Sequence, residues 1–309
     1  MTSRLEWYIG ISAAFGLATG IVIPAPPFMP LVPVALFFML WPAMLDMELS
    51  GLRGLYRRPR TLLLSLSLNF LFAPLLIYAL SRILLSDAPP EMVIGVLLFG
   101  LMPCGGMAPS YTGMLKGNVG LAVSIAAVSL LLSIGAVPLW TELLIGRIVP
   151  VPLSLAVRSM AITVLFPLFF AWLTRKIITV TRGADTFQRL KPSLKKISPY
   201  GLMLLAFAIF AMNGRQAMQD PLLMLRITLA SSLFLTTLLV VSLYAGRKAG
   251  LHSADIAALA MSSATKNNAI SLTLALLVFD RQVALAIAIA GPMVQIPVML
   301  GFQRWYRGK

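Results

Sequence analysis

Two short runs hold most of the chemistry available to this chain of 309 residues. The first is Ser262-Ser263-Ala264-Thr265-Lys266-Asn267-Asn268, a dense polar cluster with a formal charge inside an otherwise apolar stretch. An amine in such a place can hold an anion by charge, gain and lose a proton, or fill a cation site with its own ammonium group. The second is Met102-Pro103-Cys104-Gly105-Gly106-Met107-Ala108-Pro109, which carries the single cysteine among two prolines and two glycines. One thiol makes no intramolecular disulfide. One cysteine and one histidine, His252, cannot build a usual zinc centre, so no metal is expected. No buried acid pair suggests hydrolysis, and no glycine-rich phosphate loop ends in Lys-Ser or Lys-Thr. The expectation is therefore no enzyme, no catalytic residue, no cofactor and no direct ATP drive.

The elements that must position these runs are set by composition. Hydrophobic residue types make up 59% of the chain and charged ones 11%, against roughly 25% charged in soluble domains. A water-soluble globule and a disordered chain are both excluded. Ten apolar stretches can be marked at 7–24, 30–47, 61–84, 92–115, 119–145, 152–174, 198–214, 221–245, 254–279 and 282–303. Each approaches the roughly 17 to 25 residues that a helix needs to cross a hydrocarbon core. Their apolar character is continuous and does not alternate as in a membrane barrel, which predicts an all-helical membrane protein. The first stretch is read as a span, because cleaving it as a signal would leave an odd set.

The net charge of +15 finds its explanation in topology. Eighteen of the 25 basic residues fall on the side shared by both termini: Arg4, the run Arg53 to Arg60, Lys116, the cluster Arg175 to Lys196, Arg247, Lys248 and the tail from Arg304. Basic loops stay in the cytoplasm, so both ends are expected there, in a cytoplasmic (inner) membrane. No nucleic-acid partner is implied; the expected partners are a lipid bilayer and a small molecule, and the oligomeric state is left open.

Dividing the chain into two sets of five stretches, 1–150 and 151–309, puts the two unusual runs at equivalent places, in the fourth and ninth. Proline removes a donor and clashes with the preceding turn, so a helix should break at 103–109. The polar run of the ninth is tolerable only where protein or water surrounds it. An odd number of spans per half inverts the second set, and paired broken helices in inverted repeats point to a transporter's central site. Freed amides and carbonyls there can bind both signs of charge.

The expected substrate- or ion-binding residues are Pro103, Cys104, Gly105, Gly106, Pro109, Ser262, Ser263, Thr265, Lys266, Asn267, Asn268 and Gln295. A lone charge at bilayer depth costs at least about 2.5 to 3.5 kcal/mol. With no carboxylate at comparable depth, Lys266 should be offset by backbone carbonyls and by the amides of Asn267, Asn268 and Gln295. Asn69 and Asn213 either line the cavity or bond across helices. Gly10, Gly16 and Gly20 read as close helix packing, and His252 as a solvated loop residue.

The run Arg57-Arg58-Pro59-Arg60 leading into Leu64-Ser65-Leu66-Ser67-Leu68-Asn69-Phe70, the Pro103-Cys104 break and Gly291-Pro292-Met293-Val294-Gln295-Ile296-Pro297-Val298 resemble the bile acid:sodium symporter superfamily, most of all its arsenite-efflux permease branch. The resemblance covers about Leu36 to Phe302. It implies ten helices in a panel and a core subdomain, with the fourth and ninth broken and crossing, and alternating access. It also implies a sodium-binding glutamate and, four residues later, a glutamine, at the positions held here by Ser262 and Lys266. In the arsenite branch the proline is followed by a cysteine, matched by Cys104, and an Asn-Asn pair matches Asn267 and Asn268. The glutamate that shortly follows that pair is replaced by Ile270. Cys104 is then either a soft ligand for trivalent arsenic or a small packing residue.

These readings converge on a secondary transporter of a small anion or oxyanion, with Lys266 replacing or modifying the sodium site and a proton favoured over sodium as coupling ion. Arsenite efflux is the alternative. An anion channel is the alternative of another class, distinguished by unitary currents.

Overall fold

The computed structural model describes residues 2–23, 31–46 and 59–307. The basic residues Arg53, Arg57, Arg58 and Lys309, and the acidic Glu48, lie outside the described residues. Among the described residues there is no strand, and six helices are long and apolar enough to cross a membrane, with four shorter apolar ones beside them. The protein is a helical multi-span membrane protein.

The helices are α1 (Thr2–Val22), α2 (Leu31–Ala43), α3 (Pro59–Ser67), α4 (Ala73–Leu84), α5 (Pro90–Leu101), α6 (Ala108–Met114), α7 (Val119–Trp140), α8 (Leu153–Arg182), α9 (Ala184–Lys195), α10 (Ile197–Gln219), α11 (Pro221–Lys248), α12 (Ser253–Ala264), α13 (Asn268–Val278), α14 (Arg281–Ala288) and α15 (Val294–Arg307). Among the described residues three single π-helical turns interrupt this series, at Leu68–Phe72, Thr141–Ile145 and Ile289–Met293. The fourth and ninth apolar stretches are each divided, into α5 with α6 and α12 with α13. The basic cluster after residue 174, expected as a connection, instead extends α8 to Arg182 and then forms α9.

The chain sorts into two compact units, each drawing on both halves of the sequence. One comprises Met1–Met47 and Ala161–Pro221. There α1 lies directly on α10: a β-carbon at Gly16 or Gly20 would collide with the carbonyls of Phe207 or Ala211. Gly10 departs from the expected series, since nothing lies within 4 Å of its β-carbon position. Ser12 donates to the Met203 carbonyl at 3.0 Å, and Ser198 donates to that of Met39 at 2.8 Å. Phe37 stacks on Trp41 and meets Phe166 and Phe170 edge-on.

The other unit comprises Glu48–Met160 and Leu222–Lys309. Its half-helices α5 and α12 are buried on nearly every side. Near the start of α11, Arg226 donates to the Leu84 carbonyl at 2.7 Å, capping α4, and grips Asp87, in the connection beyond α4, with both terminal nitrogens. The hydrogen bond from Arg226 holds the Asp87 carboxyl below its ordinary value. A depressed carboxylate contributes stability above its unfolded value, and that contribution is lost as pH falls through the folded one. Thermal unfolding of detergent-solubilised protein should therefore show a decline below about pH 4 that is shallower in Asp87→Asn. Parallel declines would remove this role.

Candidate functional site

Pro103 has no amide to donate, and α5 accordingly stops at Leu101. From Met102 the backbone is extended, and α6 starts only at Ala108, with Pro109 in its first turn. In the other interrupted span α12 ends at Ala264, Thr265 is extended, and α13 begins at Asn268. Such breaks free main-chain groups that must be satisfied without water. Here the two breaks satisfy each other. The Gly105 amide donates to the Thr265 carbonyl at 2.7 Å, and the Asn267 amide to the Pro103 carbonyl at 3.0 Å. Cys104 and Lys266 face each other as an isolated antiparallel bridge.

Side chains from other helices complete the frame. Ser129 of α7 accepts from the Cys104 amide at 2.9 Å. Gln295 of α15 pairs with the Lys266 peptide as a strand would: its Oε1 accepts from the Lys266 amide at 2.8 Å and its Nε2 donates to the Lys266 carbonyl at 3.2 Å. Asn267 caps α13 by accepting from the Ile270 amide at 3.2 Å. Thr265 donates to the Met299 sulfur at 3.8 Å.

The close approach requires a glycine at 105. A β-carbon there would stand 2.7 Å from the Lys266 carbonyl oxygen and 3.1 Å from its carbon, both main-chain atoms that cannot swing aside. Gly105→Ala is expected to separate the breaks at a cost of about 1–3 kcal/mol. The check is a melting curve in detergent together with flux in liposomes; wild-type values in both would show that the close pairing is dispensable.

Lys266 is 1% exposed. Its Nζ donates to the Asn69 Oδ1 at 3.0 Å and lies 5.8 Å from the Phe234 ring centre. No carboxylate pairs with it among the described residues. Asn69 is itself fixed, its Nδ2 donating to the carbonyls of Ser65 at 3.0 Å and Ser262 at 3.2 Å. The expected amide partners are thus corrected: Asn267 and Gln295 are committed to main-chain groups, and Asn69 receives the ammonium. Asn69 sits within the π-turn Leu68–Phe72, whose Phe70 carbonyl is taken by the Trp140 indole at 2.7 Å. An ammonium carries three donors, and the single neutral amide engages one of them.

Around this centre the remaining expected residues divide. Ser263 is buried, and its hydroxyl, like that of Ser271 and the Asn268 Oδ1, makes no hydrogen bond among the described residues. Asn268 packs against Gly291, where a β-carbon would stand 2.5 Å from Oδ1. Gly106 is exposed and Pro109 half-buried, in the turn leading into α6. The Cys104 thiol is buried beside Ala108 and Ala126. Asn213 belongs to the unit containing α10, and its Nδ2 donates to the Ile209 carbonyl of its own helix at 2.8 Å; that bond is local, not interhelical. His252 is exposed. Among the described residues no group of three or more His, Cys, Asp and Glu side chains could hold a metal ion.

Sequence reasoning missed Ser129 and Phe234. Neither carried a signal: serines in apolar helices commonly bond back to their own turn, as Ser124, Ser231 and Ser81 do here.

The chain has relatives. An uncharacterized transporter of Synechocystis sp., slr0944, is 26% identical over 96% of this chain and 85% of its own length. The arsenical-resistance protein Acr3 of Alkaliphilus metalliredigens is 25% identical over 96% of this chain and 89% of its own. An uncharacterized sodium-dependent transporter of Bacillus subtilis, YocS, is 25% identical over 60% of this chain and 56% of its own. The model of the Sodium Bile acid symporter family matches residues 33–220, which take in Asn69 and the Cys104 break and stop short of Lys266. With well over half its length so matched, the chain belongs to the sodium bile acid symporter family.

Proposed function

We propose that this family member is a secondary carrier that moves a small anion or oxyanion by alternating access, with the Lys266 ammonium standing where a sodium ion would otherwise bind. The observation that carries the reading is a buried lysine at the junction of two broken helices, engaged by one neutral amide. A group so costly to bury is retained for what it does to a charged ligand or a proton. Its positive charge favours an anion beside it, and unbonded groups of Ser263, Asn268 and Ser271 supply polar contacts nearby in sequence. A fixed ammonium disfavours sodium at the same place, so proton exchange takes over the coupling. The membrane is the inner one, with both termini cytoplasmic.

The second reading, arsenite efflux, is favoured by the likeness to Acr3 and by the thiol at the break. Having only one thiol, the chain could not surround trivalent arsenic with sulfur.

Purified protein in liposomes decides between them. Uptake of one or more small organic anions that follows a pH gradient and ignores a sodium gradient supports the proposal. Flux that requires sodium overturns the coupling assignment, and arsenite flux with no anion flux overturns the substrate class.

A further inference from the structure

The segment from Trp172 to Tyr200 has a composition that neither a buried span nor a water-exposed loop needs. It holds seven basic residues and one acid, Asp185. At 1.5 Å per residue the 30 residues of α8 reach about 45 Å, beyond a hydrocarbon core of roughly 30 Å. Its C-terminal turns nevertheless keep apolar side chains in the open: Trp172 and Ile177 are each 51% exposed and Val180 76%. Gly183, at φ +86°, then turns the chain sharply. Helix α9 packs against α2 and α10 in the same unit, anchored by the buried Phe187, over whose ring the Arg175 guanidinium lies at 5.8 Å. Leu190 and Tyr200 remain exposed, and so do Lys176, Arg182, Arg189 and Lys196. The Lys176 ammonium sits 4.9 Å from the Trp172 ring centre.

Exposed apolar and exposed cationic side chains interspersed along the end of α8 and α9 suit the headgroup layer, where stems and rings enter the acyl boundary and charges meet phosphate. Topology alone would be served by the same charges in a loose loop. We propose that the end of α8 together with α9 is a docking surface for phospholipids of net negative headgroup, held through Lys176, Arg182, Arg189 and Lys196. The proposal is independent of what the carrier transports.

The test places the full protein in phosphatidylcholine nanodiscs doped with brominated phosphatidylglycerol or, separately, brominated phosphatidylcholine. The Trp172 signal is isolated by subtracting the quenching seen in Trp172→Phe. The expected result is roughly fivefold enrichment of the anionic lipid beside Trp172, the equivalent of about 1 kcal/mol. That preference should disappear when Lys176, Arg182, Arg189 and Lys196 are all changed to Gln. Equal quenching by the two lipids in the wild-type protein overturns the proposal without recourse to any variant. A preference that survives the four changes overturns it as well.

Discussion

Replacing Lys266 by Met is expected to reduce anion flux on the order of 100-fold or more while leaving the melting temperature unchanged or higher. Both parts follow from the burial. Removing one partner of a buried charge pair costs about 2–5 kcal/mol, and on the proposed function the partner left behind is the ligand's own charge. The folded protein, by contrast, loses one bond to Asn69 and sheds a charge whose burial costs at least about 2.5–3.5 kcal/mol. Exchange of buried ionic groups for apolar ones of similar volume is often neutral or stabilising. Methionine keeps the length and flexibility of the lysine stem. The measurement pairs a melting curve in detergent with flux in liposomes at two pH values. Full, still proton-dependent flux in Lys266→Met would remove both the anion-binding and the proton-exchange roles at once. A large fall in melting temperature would instead make Lys266 a scaffold residue.

The second large effect is a gain of sodium dependence in Ser262→Glu combined with Lys266→Gln. The family resemblance implies a glutamate and a glutamine at these two positions in sodium-coupled members. Ser262 is fully buried, so an added carboxylate without the neighbouring ammonium is an uncompensated charge, destabilising by several kcal/mol. A bound sodium ion offsets that cost. At a concentration one hundred times the dissociation constant it contributes about 2.7 kcal/mol. The double variant should melt early in choline chloride and recover in sodium chloride, and the wild-type protein should melt alike in both. Sodium stabilisation of the wild-type protein would count against an ammonium in the cation's place.

The two breaks were legible because proline, glycine and a polar run are conspicuous inside apolar helices: α5 stops just before Pro103, which has no amide to donate, and α12 stops at Ala264, within the polar run. The partner of Lys266 was not. Proximity in sequence favoured Asn267 and Asn268, yet Asn267 is spent on capping α13, and Asn69 is presented from a helix nearly two hundred residues away by a π-turn that no pattern of residue types announces. Gln295 was expected as an amide partner for the Lys266 ammonium, but its role as a surrogate strand depends on two bonds that only the folded chain reveals. The helix α9 was overlooked because a cluster of lysines and arginines reads as a loop when span boundaries are drawn by hydropathy. The packing of Gly16 and Gly20 followed their four-residue spacing, whereas Gly10, six residues before Gly16, falls off that face.

The junction between the two interrupted spans has an evolutionary corollary. The bonds that join the two breaks run through the main-chain groups of residues 103, 105, 265 and 267, with Gln295 and Ser129 holding the peptides of Lys266 and Cys104, and none of these calls upon the thiol of Cys104 or the amine of Lys266. Exchange of those two side chains therefore leaves each of these bonds available, and under the proposed function a lineage of such proteins could change cargo or energy source without redesigning the frame around them.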